Sequence, residues 1–510
     1  MPGSEPTTLD RREFLRRAGL AAAGWALAAP LARPAAPAKR PNLIYIFADQ
    51  LRHSALGYAG DRNARTPNID RLAAQSVSFS NAVSTMPVCA AHRASLLSGL
   101  YPSTTGMVIN ELRVNPAHRC LGHVLTDAGY ETGYIGKWHL WANQAGNHLE
   151  PRNSYIPPEY KRYRLGFDGS WAAYNFNHQY YKAFYFGDGP ERIEVRGYEP
   201  DVQTDLALRF IRDKAKGPKP FALVLSYGVP HDPWTADNVP AEDVRLFDGV
   251  EFRLPQTWSD RPDPYMDRFT EPGPWLSNFK VNIPSFLRHY YALAAGLDRN
   301  IGRLLRALDG GGIAGDTIVV FSSDHGEMLG AHGRIQKLTF YEEAARVPFL
   351  VRWPGRIPAG SVRDACLGTP DILPTVLGLM GLPIPEGVEG MDLSRIALGR
   401  GGPEPDAAFL QGMGHTFEWI DGFEWRALRD KRLTYAVYRR DGSEHLYDNV
   451  EDPLQKANRA ADPAFGAKLR ECRDRLAARR RALQDSFEAC TWYRDHWTDG
   501  DRRILRGARG

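Results

Sequence analysis

The chain predicts an α/β fold: a large, mostly parallel mixed sheet sandwiched between helices, with a smaller C-terminal α+β subdomain carrying an antiparallel sheet. Three observations predict it. Continuous apolar runs of strand length recur, helical patterns separate them, and the segments shorten after about residue 402. The run NLIYIFAD (Asn42–Asp49) is rich in β-formers and ends on a polar residue. FALVLSY (Phe221–Tyr227), TIVVFSSD (Thr317–Asp324) and VPFLVRW (Val347–Trp353) share its character. Runs apolar at every position suit strands covered on both faces, as in a parallel sheet.

Between the runs lie helical periodicities. In SFLRHYYALAAGLDRNIGRLLRALDGGG, Ala294, Leu297, Ile301, Leu304 and Leu308 step by three and four, and Gly310 to Gly312 stop the helix. Two regions lack a period. Residues 141–198 are dense in aromatics, among them Trp171, Tyr174, Phe176, Tyr180, Tyr181, Phe184 and Tyr185; residues 232–283 are rich in Pro, Asp and Trp. Such loops are usually functional, and the aromatic content argues against disorder. After Gly390–Ala408 come the short segments EWRALRD and RLTYAVY, then a basic amphipathic helix over 465–484. The chain therefore divides into 1–38, 39–402 and 403–510, with no internal repeat.

Composition narrows the function. The chain is 43% hydrophobic and 24% charged with a formal charge of +4, an ordinary soluble globular balance. Five arginines fall within residues 1–38, and the remainder is close to charge balance, so it is no polycation for nucleic acid. No segment reaches the roughly 18 apolar residues that span a bilayer. The start, LDRREFLRRAGLAAAGWALAAPLARPAAPA, has a twin arginine followed by Phe14, Leu15 and an Ala-rich apolar run broken by Pro30 and Pro34. It resembles a twin-arginine export signal, which implies a protein exported already folded, to the periplasm or beyond. Five cysteines, Cys89, Cys120, Cys366, Cys472 and Cys490, leave at least one unpaired, and a core of this size needs no disulfide.

In open α/β sheets ligands gather at the carboxyl ends of strands. Asp49 ends the first run, Asp324 and His325 end the third, and His231 follows the second in SYGVPHDPW. Each has a local alternative: helix N-cap, turn former, loop residue. Together, two carboxylates and an imidazole make a divalent-cation site that substrate oxygens complete.

The stretch PVCAAHRASLLSGLYP places Cys89 before a helix and Arg93 one turn later, in the pattern C-x-A-x-R; GYETGYIGKWHL (Gly129–Leu140) follows. In that order the two closely resemble the paired signatures of the type I, formylglycine-dependent sulfatases of the alkaline phosphatase superfamily. TPNIDRLAAQSVSFSNA and LYDNVEDP match the same family's habit, so the resemblance runs from about Asn42 to Asn458. It implies a formylglycine made from Cys89, by a formylglycine-generating enzyme acting before export. The hydrate of that aldehyde attacks sulfur with one hydroxyl and expels sulfate with the other. The resemblance gives Arg93 the task of holding the hydrate, and Lys137 and Lys337 that of clamping sulfate oxygens. It makes His139 the base on the second hydroxyl and His231 the acid on the leaving oxygen. Asp49, Asp324, His325, residue 89 and Gln50 are the metal set it implies, with Ca2+ expected and Mn2+ or Mg2+ as alternatives.

Two departures qualify it. Gln50 stands where many relatives have an acid, and His325 where they have Asn or Gln. The combination resembles the branch holding choline sulfatases and phosphonate monoester hydrolases, so those activities and that of a phosphodiesterase stand as alternatives to a carbohydrate sulfatase, and the nitrogen ligand makes the site less strictly calcium-like. The aromatics of 141–198 carry two readings: stacking on sugar rings, or packing onto the core.

Overall fold

The computed structural model describes residues 40–142, 150, 153–267, 274–500 and 502–506, with backbone alone at 274–278. Residues 1–38, read above as resembling an export signal, lie outside the described residues. Residues Pro41–Gly510 form one compact unit. Its strands are β1 (Asn42–Asp49), β2 (Val77–Ala82), β3 (Glu131–Lys137), β4 (Ser170–Tyr174), β5 (Phe184–Tyr185), β6 (Ile193–Glu194), β7 (Phe221–Pro230), β8 (Thr317–Ser323), β9 (Phe349–Arg352), β10 (Ser361–Leu367), β11 (Ala408–Gly412), β12 (Trp425–Arg429), β13 (Leu433–Tyr438) and β14 (Glu444–Asp448).

Eight of them make the main sheet, in the order β10-β2-β9-β8-β1-β7-β3-β4. All run parallel except β9, which lies antiparallel between β2 and β8. Strand β1 shows why the sheet is buried on both sides. Leu43, Tyr45 and Phe47 join one apolar cluster, while Ile44, Ile46 and Ala48 join the other, as a period of two requires. The first cluster draws on the helices Cys89–Ser98, Leu121–Asp127 and Ile372–Met380. The second draws on Pro67–Ala74, Glu199–Lys214 and Pro274–Gly310. The stripe Ala294, Leu297, Ile301, Leu304 and Leu308 is buried throughout, and its helix ends at Gly310, as the glycine run predicts.

Two sequence expectations need correction. The run around Phe349–Arg352 is the reversed strand, not another parallel one. An apolar run reports cover on two faces and says nothing of direction. The 324–348 connection stays at the carboxyl edge where β8 ends, so β9 starts from that edge and returns. The aromatic stretch, read as lacking regular structure, supplies β4, a five-residue edge strand paired with β3. Within it Tyr174, Tyr180 and Phe184 are buried, Trp171, Phe176 and Tyr185 are half-buried, and Tyr181 is 42% exposed, so the stretch both packs inward and presents rings outward.

The C-terminal antiparallel sheet has the order β11-β12-β13-β14. Its inner face (Leu410, Trp425, Ala427, Tyr438) packs against Phe340 and Tyr341. The helix Gly466–Ala482 covers its outer face, placing Leu469, Cys472 and Leu476 on Phe409, Leu428 and Tyr435. All five cysteines are free and buried. Among the described residues, no helix is long and apolar enough to cross a membrane.

Candidate active site

The parallel sheet brings the ends of strands far apart in sequence to one edge, and the chain leaves β1 toward opposite sides for β2 and β3. Asp49 closes β1, Lys137 closes β3, His231 follows β7, and Asp324 and His325 follow β8. The Ser323 hydroxyl locks two of these ends, accepting from Leu51 N and donating to Ala48 O. Cys89 opens its helix behind an extended Val88, and the next amide, Ala90 N–H, is capped by Asn110 Oδ1 at 3.0 Å.

Donor atoms of Asp49, Cys89, Asp324 and His325 lie within 4.8 Å of one another, all buried. Cys89 Sγ is 3.2 Å from His325 Nε2 and 3.7 Å from Asp49 Oδ1. His325 Nε2 is 3.7 Å from Asp49 Oδ1 and 3.6 Å from Asp324 Oδ1. The His325 Nδ1 partner is Gly326 O at 2.9 Å, and a carbonyl only accepts, so in the neutral ring the Nε2 lone pair faces the group. Two carboxylate oxygens, an imidazole nitrogen and residue 89 fit a divalent cation.

Arg93 reaches across this group one turn below Cys89. Its Nη2 donates to Asp49 Oδ2 (3.1 Å) and Asp324 Oδ2 (2.9 Å), and its Nη1 to Lys137 O and Ser226 Oγ, each at 2.7 Å. The guanidinium thus orders the two carboxylates directly. Burial pushes the Asp49 carboxyl upward, but the Lys137 ammonium, with His231 and Arg93, holds it well below the usual range. Burial and Asp49 likewise push the Cys89 thiol up, and Lys137, Lys337 and His325 outweigh them, leaving it well below an ordinary cysteine.

Each lysine spends two N–H groups on protein. Lys137 Nζ donates to Asp49 Oδ2 (2.5 Å) and His178 Nε2 (3.1 Å); Lys337 Nζ donates to Gln50 Oε1 (2.5 Å) and His231 Nε2 (2.8 Å). An ammonium has three donors, so one remains on each. His231 Nδ1 donates to Asp232 O at 2.9 Å, which leaves its Nε2 to accept from Lys337. His139, fully buried at φ 55°, lies with Nε2 3.5 Å from Glu111 Oε1 and its ring beside Phe176. Gln50 sits next to the cation group at φ 69°, its amide nitrogen on Glu327 Oε2 (2.7 Å) and its oxygen on Lys337.

All the sequence-derived site residues therefore converge. Sequence reasoning missed His178, Ser226, Glu327 and Asn110. His178 lies in NFNHQYY, where nothing in spacing marks it off from the surrounding aromatics. Gly136, just before Lys137, has φ 103°, and a Cβ there would lie 1.9 Å from Ser226 O. Gly136→Ala is expected to cost at least about 2 kcal/mol, since backbone must move. Denaturant unfolding measures it; an unchanged midpoint would contradict the packing described.

A buried cation pocket of two carboxylates and an imidazole, faced by two lysines that each keep one N–H in reserve, defines a metal-assisted hydrolase that grips a tetrahedral oxyanion. The sulfatase family profile matches residues 41–382, and that of the N-sulphoglucosamine sulphohydrolase C-terminal region matches 330–482. The chain belongs to the sulfatase family, and it is a sulfuric ester hydrolase. It is 37% identical over 462 residues to an ulvan-active sulfatase of Formosa agariphila, covering 89% of this chain and 84% of that protein. An endo-4-O-sulfatase of Bacteroides thetaiotaomicron is 29% identical, covering 83% and 89%. The crystal structure of a sulfatase from Bacteroides fragilis superposes with a TM-score of 0.75 at 30% identity, covering 89% of this chain and 97% of that one. Membership implies a metal ion and a formylglycine at residue 89, and the buried Asp-Cys-Asp-His group fits both.

Proposed function

We propose that this sulfatase is exported and removes sulfate from a carbohydrate, using Ca2+ and a formylglycine made from Cys89 in the cytoplasm. The observation that carries the chemistry is the buried Asp49–Cys89–Asp324–His325 group set between the lysines. When bound, the divalent ion polarises sulfate oxygens and lowers the pKa of a hydroxyl on residue 89. The chain's own residues do the rest. Asp49 divides its carboxylate between the cation group through Oδ1 and the two cations Lys137 and Arg93 through Oδ2. The remaining N–H on Lys137 and on Lys337 is available to sulfate oxygens, where charge grows in the transition state. Lys337 Nζ and His231 Nε2 share one hydrogen bond, so a leaving oxygen arriving there meets a proton already held between two groups. The family resemblance gives His139 the task of taking a proton as sulfate departs, and its burial beside Phe176, the ring that also lies under Lys137 Nζ, supports that reading.

The carbohydrate substrate is supported by the named relatives, an ulvan-active sulfatase and an endo-4-O-sulfatase. Calcium is supported by the two carboxylates of the group, the hard oxygen ligands such an ion would take, and the imidazole of His325 makes manganese the alternative. Elemental analysis of the purified enzyme should find about one calcium per chain; manganese or magnesium in its place overturns the assignment. For the substrate, sulfate release is measured on a panel of sulfated glycans beside choline sulfate, an aryl sulfate and an aryl phosphonate monoester. Turnover confined to the small esters would sink the sugar reading, and faster phosphonate cleavage would favour the monoester-hydrolase reading. Export is tested by replacing Arg11 and Arg12 with lysine, which should leave the protein in the cytoplasm.

A further inference from the structure

We infer that His178 is a positioning residue that couples the sulfate clamp to the leaving-group acid, holding Lys137 through its Nε2 and His231 through its ring face. The inference rests on the sulfatase reading. The imidazoles of His178 and His231 stack with centroids 3.9 Å apart and planes 4° from parallel. Each accepts from a different lysine: His178 Nε2 from Lys137 Nζ (3.1 Å), His231 Nε2 from Lys337 Nζ (2.8 Å). The stack therefore joins two Lys–His pairs, one at the end of β3 and one after β7. Sulfate oxygens meet the remaining N–H of both lysines, and the leaving oxygen meets the second pair.

The tautomer of His178 is set by its surroundings. Its Nε2 accepts from Lys137, so its Nδ1 carries the hydrogen and faces Tyr180 Oη at 3.4 Å. The Tyr180 hydroxyl reaches the carbonyls of His231 (2.7 Å) and Gly228 (2.8 Å), tying the same loop back to β7. Asn238 completes the brace, with Nδ2 donating to His178 O (2.8 Å) and Oδ1 accepting from Tyr180 N (2.7 Å). Phe176 packs edge-on against His178 at 4.6 Å and lies under Lys137 Nζ at 4.7 Å. His178 is 5% exposed. With Asp49 and His178 as fixed acceptors, the free N–H of Lys137 has one direction left. Without His178 the ammonium swings about Asp49, and His231 loses the surface that keeps its ring plane.

The two tasks separate by substitution. His178→Gln keeps an acceptor for Lys137 and loses the stack; His178→Phe keeps the stack and loses the acceptor; His178→Ala loses both. With Cys89 converted, His178→Ala should lower kcat on a hydrolysed sulfated glycan by about 100-fold, with KM within about threefold. Affinity for inorganic sulfate, read by calorimetry, should fall about tenfold in His178→Ala and His178→Phe and be restored in His178→Gln. The Gln and Phe variants should each retain kcat about tenfold above Ala. An Ala variant within about threefold of the parent in both kcat and sulfate affinity overturns the inference. So does parallel loss of activity, sulfate affinity and thermal stability in all three, with no rescue by Gln. Failure of the unsubstituted enzyme to release sulfate from any ester would count against the sulfatase reading instead, and sulfate affinity would still report on His178.

Discussion

Cys89→Ala is expected to abolish sulfate release, by at least about four orders of magnitude, while leaving the fold intact. The side chain is small and fully buried, its helix is capped through Ala90 and Asn110, and its Sγ contacts are to Asp49 and His325. Alanine at the first position of a helix keeps the backbone and the carboxylates, and removes the thiol without which Cβ is not oxidised to the aldehyde. Circular dichroism and thermal unfolding alongside turnover distinguish this from misfolding. Mass spectrometry of the peptide bearing residue 89 supplies the complementary result in the unsubstituted protein, where an aldehyde should replace the thiol. A fully active alanine variant, or an active enzyme whose residue 89 is an unmodified thiol, would refute the assigned nucleophile.

Arg93→Met should combine loss of activity with a large loss of stability, about 3–5 kcal/mol in denaturant unfolding. Methionine fills much of the volume but strands two buried carboxylates, Asp49 and Asp324, which both take a hydrogen bond from the guanidinium. It also removes a donor from Ser226 Oγ and from Lys137 O, the latter keeping the Tyr134 hydroxyl. Asp49 keeps Lys137, so Asp324 bears most of the cost. The sign with pH follows from the carboxylates. Asp49 and Asp324 are held below their ordinary values, so the stability they contribute is present at neutral pH and lost as pH falls through their folded values. The unfolding free energy of Arg93→Met should accordingly depend less steeply on acid than that of the parent. A loss under about 1 kcal/mol would show that the guanidinium is dispensable to the carboxylate pair.

Much of the site is legible residue by residue. Cys89, Arg93, Lys137 and His139 stand inside two compact signatures, and Asp49, Asp324, His325 and His231 stand where apolar runs end. Lys337 is legible only by its distance from DHGE, and the structure places its Nζ on His231 and Gln50. Gln50 is legible as a neighbour of Asp49, but its role beside Lys337 is not, because that depends on a loop 287 residues away. The aromatic stretch hides both β4 and His178. An edge strand of five residues has too few positions for a period to declare itself, and a histidine among tyrosines looks like another packing ring.

The local sequence by itself determined which segments are strands covered on both faces, which helix carries residue 89, and which charged residues stand at strand ends. These are consequences of side-chain periodicity and of polar groups stopping apolar runs, both written within a few residues. The tertiary structure alone decided the direction of β9, the bridging of Asp49 and Asp324 by one guanidinium, and the stacking of His178 on His231. Those depend on which strand lies beside which, and a parallel sheet settles that through connections of tens of residues, over which no local pattern carries information.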